Sequence, residues 1–353
     1  MTILKNYLFY VAQPYSLTIL RPLQDLIRKK GDSVAWFFDS DQAGINFLRQ
    51  DEQVLRSVAE VKAFNPCAVF VPGNVVPDFF PGVKVQVFHG LATDDTGKKG
   101  HYRIRGFFDL YCTRGPDETR KFQELAKRYG HFQVCETGWP KLDPLFVPDT
   151  QDDLRRQLGT ERPIVLYAST FSPSLTSAAT LYETIRRLAT QGDWQWLVTL
   201  HPKMDAQTVD KYRQLAGPSL RFFESHEDIL PLLKAADVML CDTSSIAIEF
   251  QMLHKPLVTF CTRAPGPHLI DVTNENSLEG ALLRALSRPP ELMDATRKFV
   301  DRLHPSRDGL SCQRVLDAVD AVVAGGGEGL RSKPLNLLRR LKIRRQLGYY
   351  RFK

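Results

Sequence analysis

Residues 236–250 read ADVMLCDTSSIAIEF: an apolar run of strand length, Val238 to Cys241, stops at Asp242-Thr243-Ser244-Ser245 and opens directly into a helix-compatible stretch carrying Glu249. A strand that ends in small hydroxylated residues and passes into a helix is the repeating unit of a parallel sheet covered by helices. The same rhythm continues in both directions. Apolar runs predict strands at 164–167, 196–200, 220–223 and 257–260, with helices at 175–191, 206–215, 227–235, 245–253, 278–286, 291–303 and 309–323. Thr243 and Ser244 are the expected N-caps of the helix that carries Glu249. Toward the N-terminus, runs at 7–11, 34–38, 68–71, 83–88, 110–112 and 132–135 alternate with charged stretches such as 20–30 and 118–128. Near-continuous apolar strands of this kind are buried on both faces, as in doubly wound α/β sheets.

A polar, proline-containing stretch at 144–162 separates the two series. At 353 residues the chain exceeds one ordinary core. The expected architecture is therefore two Rossmann-like domains, 1–145 and 160–323, facing a central cleft. Residues 324–330, containing AGGGEG, are the expected flexible linker, and 331–353 a separate basic tail.

The net charge is +7, but it is unevenly placed. From Arg331 to Lys353 there are nine Lys or Arg and no acid, so the other residues carry 38 basic and 40 acidic side chains, a balance of −2. A body without excess charge and without an aromatic-basic platform argues against a nucleic-acid partner. The six cysteines stand singly, with no CxxC pair, and read as buried thiols of a reducing compartment. No apolar run reaches the roughly 18 residues of a membrane span, and the N-terminal run is broken by Gln13, Pro14 and Ser16. A cytoplasmic location is expected, with no tightly bound cofactor. No carboxylate cluster points to a metal.

Chemistry-bearing residues fall at the carboxyl ends of the predicted strands. The Asp242-Thr243-Ser244-Ser245 turn brings hydroxyls and unpaired N–H groups to a helix start, a cradle suited to phosphates, and Glu249 one turn on suits a ribose diol. Simple capping is the alternative. His201, in LVTLHPK, closes a strand before a proline, where it can donate to a phosphate or a leaving group. His89, in VQVFHGLATDD, holds the equivalent place in the first half, and a neutral imidazole there can take a proton from a hydroxyl. An edge histidine without chemistry is the alternative at both. YASTF (167–171) and TGWPKLDPL (137–145) place Thr170, Lys141 and Asp143 in flanking turns. Lys98, Lys99, His101, Arg103 and Arg105 follow His89 as a basic loop able to meet an anionic acceptor, or simply solvated.

Taken in order, HG at His89, GWPKLD at Gly138, YASTF at Tyr167, LHP at Leu200, DILPLLKAADVMLCDTSSIAIEF from Asp228, KPLVTF at Lys255 and DGLSCQRVLDAV from Asp308 resemble the CDP-glycerol glycerophosphotransferase family of teichoic-acid-type polymerases and primases. The resemblance spans roughly 83–323. It implies a GT-B fold and transfer of glycerol phosphate from CDP-glycerol to an acceptor hydroxyl with release of CMP, in bacterial surface-polymer or lipopolysaccharide biosynthesis. It also implies a lipid-linked or saccharide acceptor, and attachment to the inner face of the cell membrane. His89 and His201 become the implied catalytic pair. Thr170, His201, Asp242, Thr243, Ser244, Ser245 and Glu249 become the donor site, and Lys98, Lys99, Arg103 and Arg105 the acceptor side. The family's HGTP reads HGLA here, its DYSS reads DTSS, the proline of its YAPT is Ser169, and its acidic residue after the helix start is Glu249. A GT-B glycosyltransferase using a nucleotide sugar, or a non-catalytic membrane-associated scaffold, would carry the same elements.

The basic tail, with Leu337, Leu338 and Leu341 on one helical side and Ile343 and Leu347 on another, suits an anionic lipid surface, with Tyr349, Tyr350 and Phe352 at the interface. Docking on the body is the alternative.

Overall fold

A computed structural model describes residues 4–40, 43–90, 100–147, 154–325 and 329–350. The chain forms two units, Met1–Pro144 with Leu303–Lys353, and Leu145–Arg302.

The first unit holds strands β1 (Asn6–Val11), β2 (Ser33–Phe38), β3 (Ala68–Val71), β4 (Val83–Gln86), β5 (Leu110–Thr113) and β6 (Gln133–Glu136). They pair in parallel in the order β2-β1-β3-β4-β5-β6. Its leading helices are α1 (Ser16–Lys29), α2 (Val58–Phe64) and α3 (Pro116–Tyr129), and the short α4 (Asp143–Phe146) begins in it and runs past its Pro144 boundary. Phe9, Trp36 and Phe70 are fully buried in the sheet. Each large apolar side chain removed from water contributes about 1.5–3 kcal/mol, and the strands can take such residues on both faces because helices cover both.

In the second unit, α5 (Leu154–Leu158) precedes β7 (Ile164–Ser169), α6 (Ala178–Gln191), β8 (Gln195–Leu200), α7 (Ala206–Gln214), β9 (Leu220–Phe223) and α8 (Leu230–Ala235). Then come β10 (Val238–Cys241), α9 (Ile246–Gln251), β11 (Leu257–Phe260), β12 (Ile270–Val272), α10 (Leu278–Leu286) and α11 (Pro290–Leu303). The sheet order is β12-β11-β10-β7-β8-β9, all parallel. Strand order reverses between β1 and β3 in one unit and between β7 and β10 in the other. Ligands of open α/β sheets bind outside the carboxyl ends of strands at such switch points. The expected α/β class with two doubly wound units is what forms.

The domain boundary differs from the expected 160–323. Helix α12 (Ser311–Val323) returns to the first unit, burying Cys312, Val315, Leu316 and Val319 along one stripe. Its start is tied there by Asp143, whose two carboxylate oxygens accept from Ser311 N (2.9 Å) and Cys312 N (2.7 Å). Arg314 adds a bond from Nε to the Thr137 carbonyl (2.8 Å), and His304 Nε2 accepts from Trp139 N (2.8 Å). GWPKLD and DGLSCQRV thus meet each other, so Asp143 serves the fold of one unit.

The tail is not detached over its described part. Helix α13 (Leu337–Gln346) packs on the first unit, with Ile343 and Arg344 buried, Arg344 paired to Asp78 (3.3 Å) and Tyr349 stacked on Phe79 (4.5 Å between centroids). The two apolar sides of its sequence have separate uses. Ile343 and Leu347 pack against the body, while Leu337, Leu338 and Leu341 stay 61%, 86% and 47% exposed. Phe352 and residues 326–328 of the expected linker lie outside the described residues. Cys112, Cys241 and Cys312 are buried thiols, but Cys261 is exposed. No helix among the described residues is long and apolar enough to cross a membrane.

Candidate functional site

In the second unit, the switch point is built around Asp242, which is 1% exposed. Its carboxylate accepts from Ser169 Oγ (2.6 Å), Thr170 N (2.9 Å), Ser177 N (3.0 Å) and Ser177 Oγ (3.1 Å). Ser177 is the residue before α6, so the carboxylate also meets the positive end of a 14-residue helix. An anion already holding four donors has little to offer another anion. By these four bonds Asp242 fixes the loop from Thr170 to Ser177. Thr170 enters the same arrangement through its backbone.

The neighbouring turn stays open. Helix α9 starts after Ser245 with no side-chain cap. The expected capping by Thr243 does not occur, because its Oγ1 accepts from Arg263 N at 3.1 Å. The Arg263 side chain reaches Ser174 Oγ at 3.5 Å. Arg263 thus bridges the Thr243 turn, through its backbone, and the Asp242-anchored loop, through its side chain. Composition gave no hint of it. The only signal was position, three residues past a strand end in the turn-rich CTRAPGPH. Glu249 sits inside α9 at 7% exposure, so its carboxylate lies beneath the surface.

His201 stands at the end of β8, its backbone N–H on the Ser169 carbonyl (3.2 Å) and its ring tilted against that of Phe171 (4.5 Å between centroids). Its Nδ1 accepts from Lys203 N at 3.1 Å. A nitrogen that accepts holds the lone pair, so the ring proton of neutral His201 is on Nε2. Burial, and then the Lys203 charge, lower its pKa, which favours this neutral Nε2–H donor.

His89 has the opposite arrangement in the first unit. Its Nδ1 lies 3.1 Å from the Pro72 carbonyl oxygen at the end of β3. A carbonyl only accepts, so Nδ1 carries the proton and Nε2 the lone pair. The Tyr15 ring, at the end of the β1 loop, flanks it at 5.4 Å. These three residues surround the β1/β3 switch point.

Phe88 delivers His89 from a left-handed backbone, φ 58°. Its carbonyl accepts from Trp139 Nε1 (3.4 Å), and the Arg114 guanidinium stands over its ring at 4.9 Å. Arg114, 2% exposed, is held by Glu118, which also meets His101 at 2.5 Å. Burial alone would raise the pKa of Glu118, but Arg114 and His101 outweigh it and hold the carboxyl well below its ordinary value. His101, expected on the acceptor loop, thus belongs to this buried network, and neither Arg114 nor Glu118 had a sequence signal. Arg103 and Arg105 lie beside the tail, since Asn336 Nδ2 donates to the Arg105 carbonyl (2.5 Å). Lys98 and Lys99 lie outside the described residues, as do Leu91 and Ala92 of HGLA.

The chain is 23% identical over 241 residues to the teichoic acid glycerol-phosphate primase of Bacillus subtilis (strain 168), covering 65% of this chain and 62% of that protein. It therefore spans under two thirds of that curated relative's length. Among solved structures it resembles a putative UDP-N-acetylglucosamine 2-epimerase from Listeria monocytogenes, with a TM-score of 0.65, 14% identity, and 91% of this chain and 97% of that one covered. It resembles a variant of the wall teichoic acid polymerase TagF equally, with a TM-score of 0.65, 14% identity, and coverage of 91% and 90%. These likenesses establish the GT-B fold and do not separate the chemistries that use it. The family model for CDP-glycerol:poly(glycerophosphate) glycerophosphotransferases matches residues 28–321. With a match over that length, the chain belongs to the CDP-glycerol:poly(glycerophosphate) glycerophosphotransferase family.

Proposed function

We propose that the protein transfers glycerol phosphate, or a related polyol phosphate, from CDP-glycerol to an acceptor hydroxyl in the synthesis of a bacterial surface polymer. The observation that carries this reading is the pair of opposed histidine tautomers. His89 Nε2 takes the proton of the acceptor hydroxyl, whose oxygen attacks the distal phosphorus. The bond from that phosphorus to the bridging oxygen breaks, a phosphodiester forms, and CMP leaves with the bonding electrons. His201 donates Nε2–H to the donor phosphates, Arg263 with Ser244 and Ser245 offsets their charge, and Glu249 belongs to the ribose side. Most of the acceleration comes from positioning and fixed charge, as in phosphoryl transfers generally.

The acceptor is lipid-linked or saccharide, approached from the side of Lys98, Lys99, Arg103 and Arg105. The tail at 331–353 rests on the anionic inner surface of the cell membrane, a reading supported by exposed Leu335, Leu337 and Leu338 among its arginines. This makes the protein cytoplasmic and peripheral.

Purified protein incubated separately with CDP-glycerol, UDP-sugars and CMP-sugars tests the donor class. Turnover of CDP-glycerol alone is expected. Turnover of a nucleotide sugar without CDP-glycerol would replace the reading with glycosyl transfer, and binding of neither would leave a scaffold.

A further inference from the structure

Two distant segments, the loop carrying Arg103 and Arg105 and the tail carrying Arg339, meet on the first unit. Arg105 Nη1 donates to the Arg103 carbonyl at 3.2 Å. The Asn336 side chain then bridges to the tail, giving Nδ2–H to the Arg105 carbonyl (2.5 Å) while its Oδ1 accepts from Arg339 Nη1 (2.8 Å). The junction is built closely. Gly106 has φ +74°, and a Cβ there would stand 2.4 Å from Pro334 Cγ, so only glycine lets the tail lie against this loop. Lys333 anchors the approach by pairing with Asp109 at 2.5 Å.

The resulting charge is uncompensated. Among the described residues, no ion pair joins Arg103, Arg105 or Arg339 to a carboxylate. Burial, then Arg103, and also Arg339 lower the pKa of Arg105, the mark of like charges gathered around it. Gathering like charges around Arg105 costs free energy in the isolated protein, and an anion placed beside them recovers it. Beside them Leu335, Leu337 and Leu338 stand 70%, 61% and 86% exposed. A soluble anion would explain the arginines and leave these leucines in water. A lipid phosphate explains both, with its headgroup among the arginines and the leucines in the acyl layer.

We propose that Arg103, Arg105 and Arg339 form a binding site for the phosphate headgroup of a membrane lipid, with Leu335, Leu337 and Leu338 entering the bilayer beside it. This rests on the membrane reading of the tail and deepens it, because the acceptor-side loop and the tail become one surface. The phosphate of a lipid-borne acceptor would be read where the protein touches the membrane.

Vesicle flotation of the full chain tests this without any donor. Phosphatidylcholine vesicles carrying phosphatidic acid are compared with ones carrying oleate at matched surface charge. Wild-type protein is expected to favour the phosphate vesicles. The R103A/R105A/R339A variant should lose about 100-fold in affinity for them, roughly fivefold per arginine, and lose the preference for phosphate. The control R331A/K342A/R345A removes the same charge outside the cluster and should keep the preference. Equal losses and equal preference in both triple variants would overturn the site in favour of diffuse attraction. Should Arg105→Ala disturb folding, R103A/R339A gives the same comparison. Failure of wild-type protein to float with either anionic vesicle would overturn the membrane reading itself, whereas the transfer reading is judged separately by nucleotide release.

Discussion

His89 Nδ1 donates to the Pro72 carbonyl oxygen at 3.1 Å, which makes Nε2 the basic nitrogen of the neutral ring. His201, whose Nδ1 accepts from Lys203 N, presents a proton instead. Different substitutions should therefore rescue each position. Gln at 201 retains an N–H donor and is expected to keep more activity than Ala, whereas Gln at 89 supplies no base and should be as poor as Ala. Loss of the base costs about 10²–10⁴-fold in kcat. Steady-state kinetics of the four variants checks this, and full turnover by His89→Ala would refute the assignment.

Asp242→Asn keeps shape but turns an acceptor of four bonds into a group carrying its own N–H donors. One of those would face the N–H of Thr170 or Ser177, and the negative charge at the start of α6 would be gone. A stability loss of about 2–4 kcal/mol is expected, with a raised KM for the donor because the Thr170 loop loosens. Denaturant titration and donor saturation curves measure the two effects.

Removing one partner of the buried Arg114–Glu118 pair leaves an uncompensated charge, which typically costs about 3–5 kcal/mol. Arg114→Met should be severely destabilised, and Arg114→Lys less so. In Arg114→Lys, the cation over Phe88 is replaced by one of different shape, so kcat should fall while the donor KM holds. A melting curve and a kcat and KM comparison decide it.

His304 gives the first unit a pH dependence. Burial lowers its pKa from 6.5 to about 4, and its Nε2 must stay unprotonated to accept from Trp139 N. Between pH 6.5 and about 4 the unfolded chain binds the proton and the folded one does not, so stability falls with pH across that window. The full loss is about 3 kcal/mol. His304→Gln keeps an acceptor and removes the titration, so its unfolding midpoint should vary less from pH 6.5 to 4. A variant as acid-sensitive as the wild type would contradict this.

The alternating apolar runs made both sheets legible, because fully buried parallel strands leave little choice of residue. Strand β12 was missed: Ile270–Val272 is three residues long, and its Asp271 accepts from Thr259 Oγ1 (2.7 Å) and Thr262 N (3.1 Å), which interrupts the apolar pattern. The second boundary was misplaced for another reason. Helix α12 has the same amphipathic stripe whichever sheet it covers, and only tertiary bonds such as Asp143 to Ser311 N decide. Motif order located His89, His201 and the Thr243 turn. It did not distinguish Asp242 as an organiser from a ligand, since a carboxylate holding four donors is spelled the same way as one facing solvent. The tail's docking was hidden because Lys333 and Arg344 read as solvated charge yet pair with Asp109 and Asp78.

Phosphorus NMR of the reaction with CDP-glycerol and a hydroxyl acceptor observes directly which bond breaks. Transfer of glycerol phosphate yields CMP and a new phosphodiester resonance, both abolished in His89→Ala. Release of CDP, with no new phosphodiester, would mean that the bond to the distal phosphorus stays intact and that glycerol phosphate is not the group transferred.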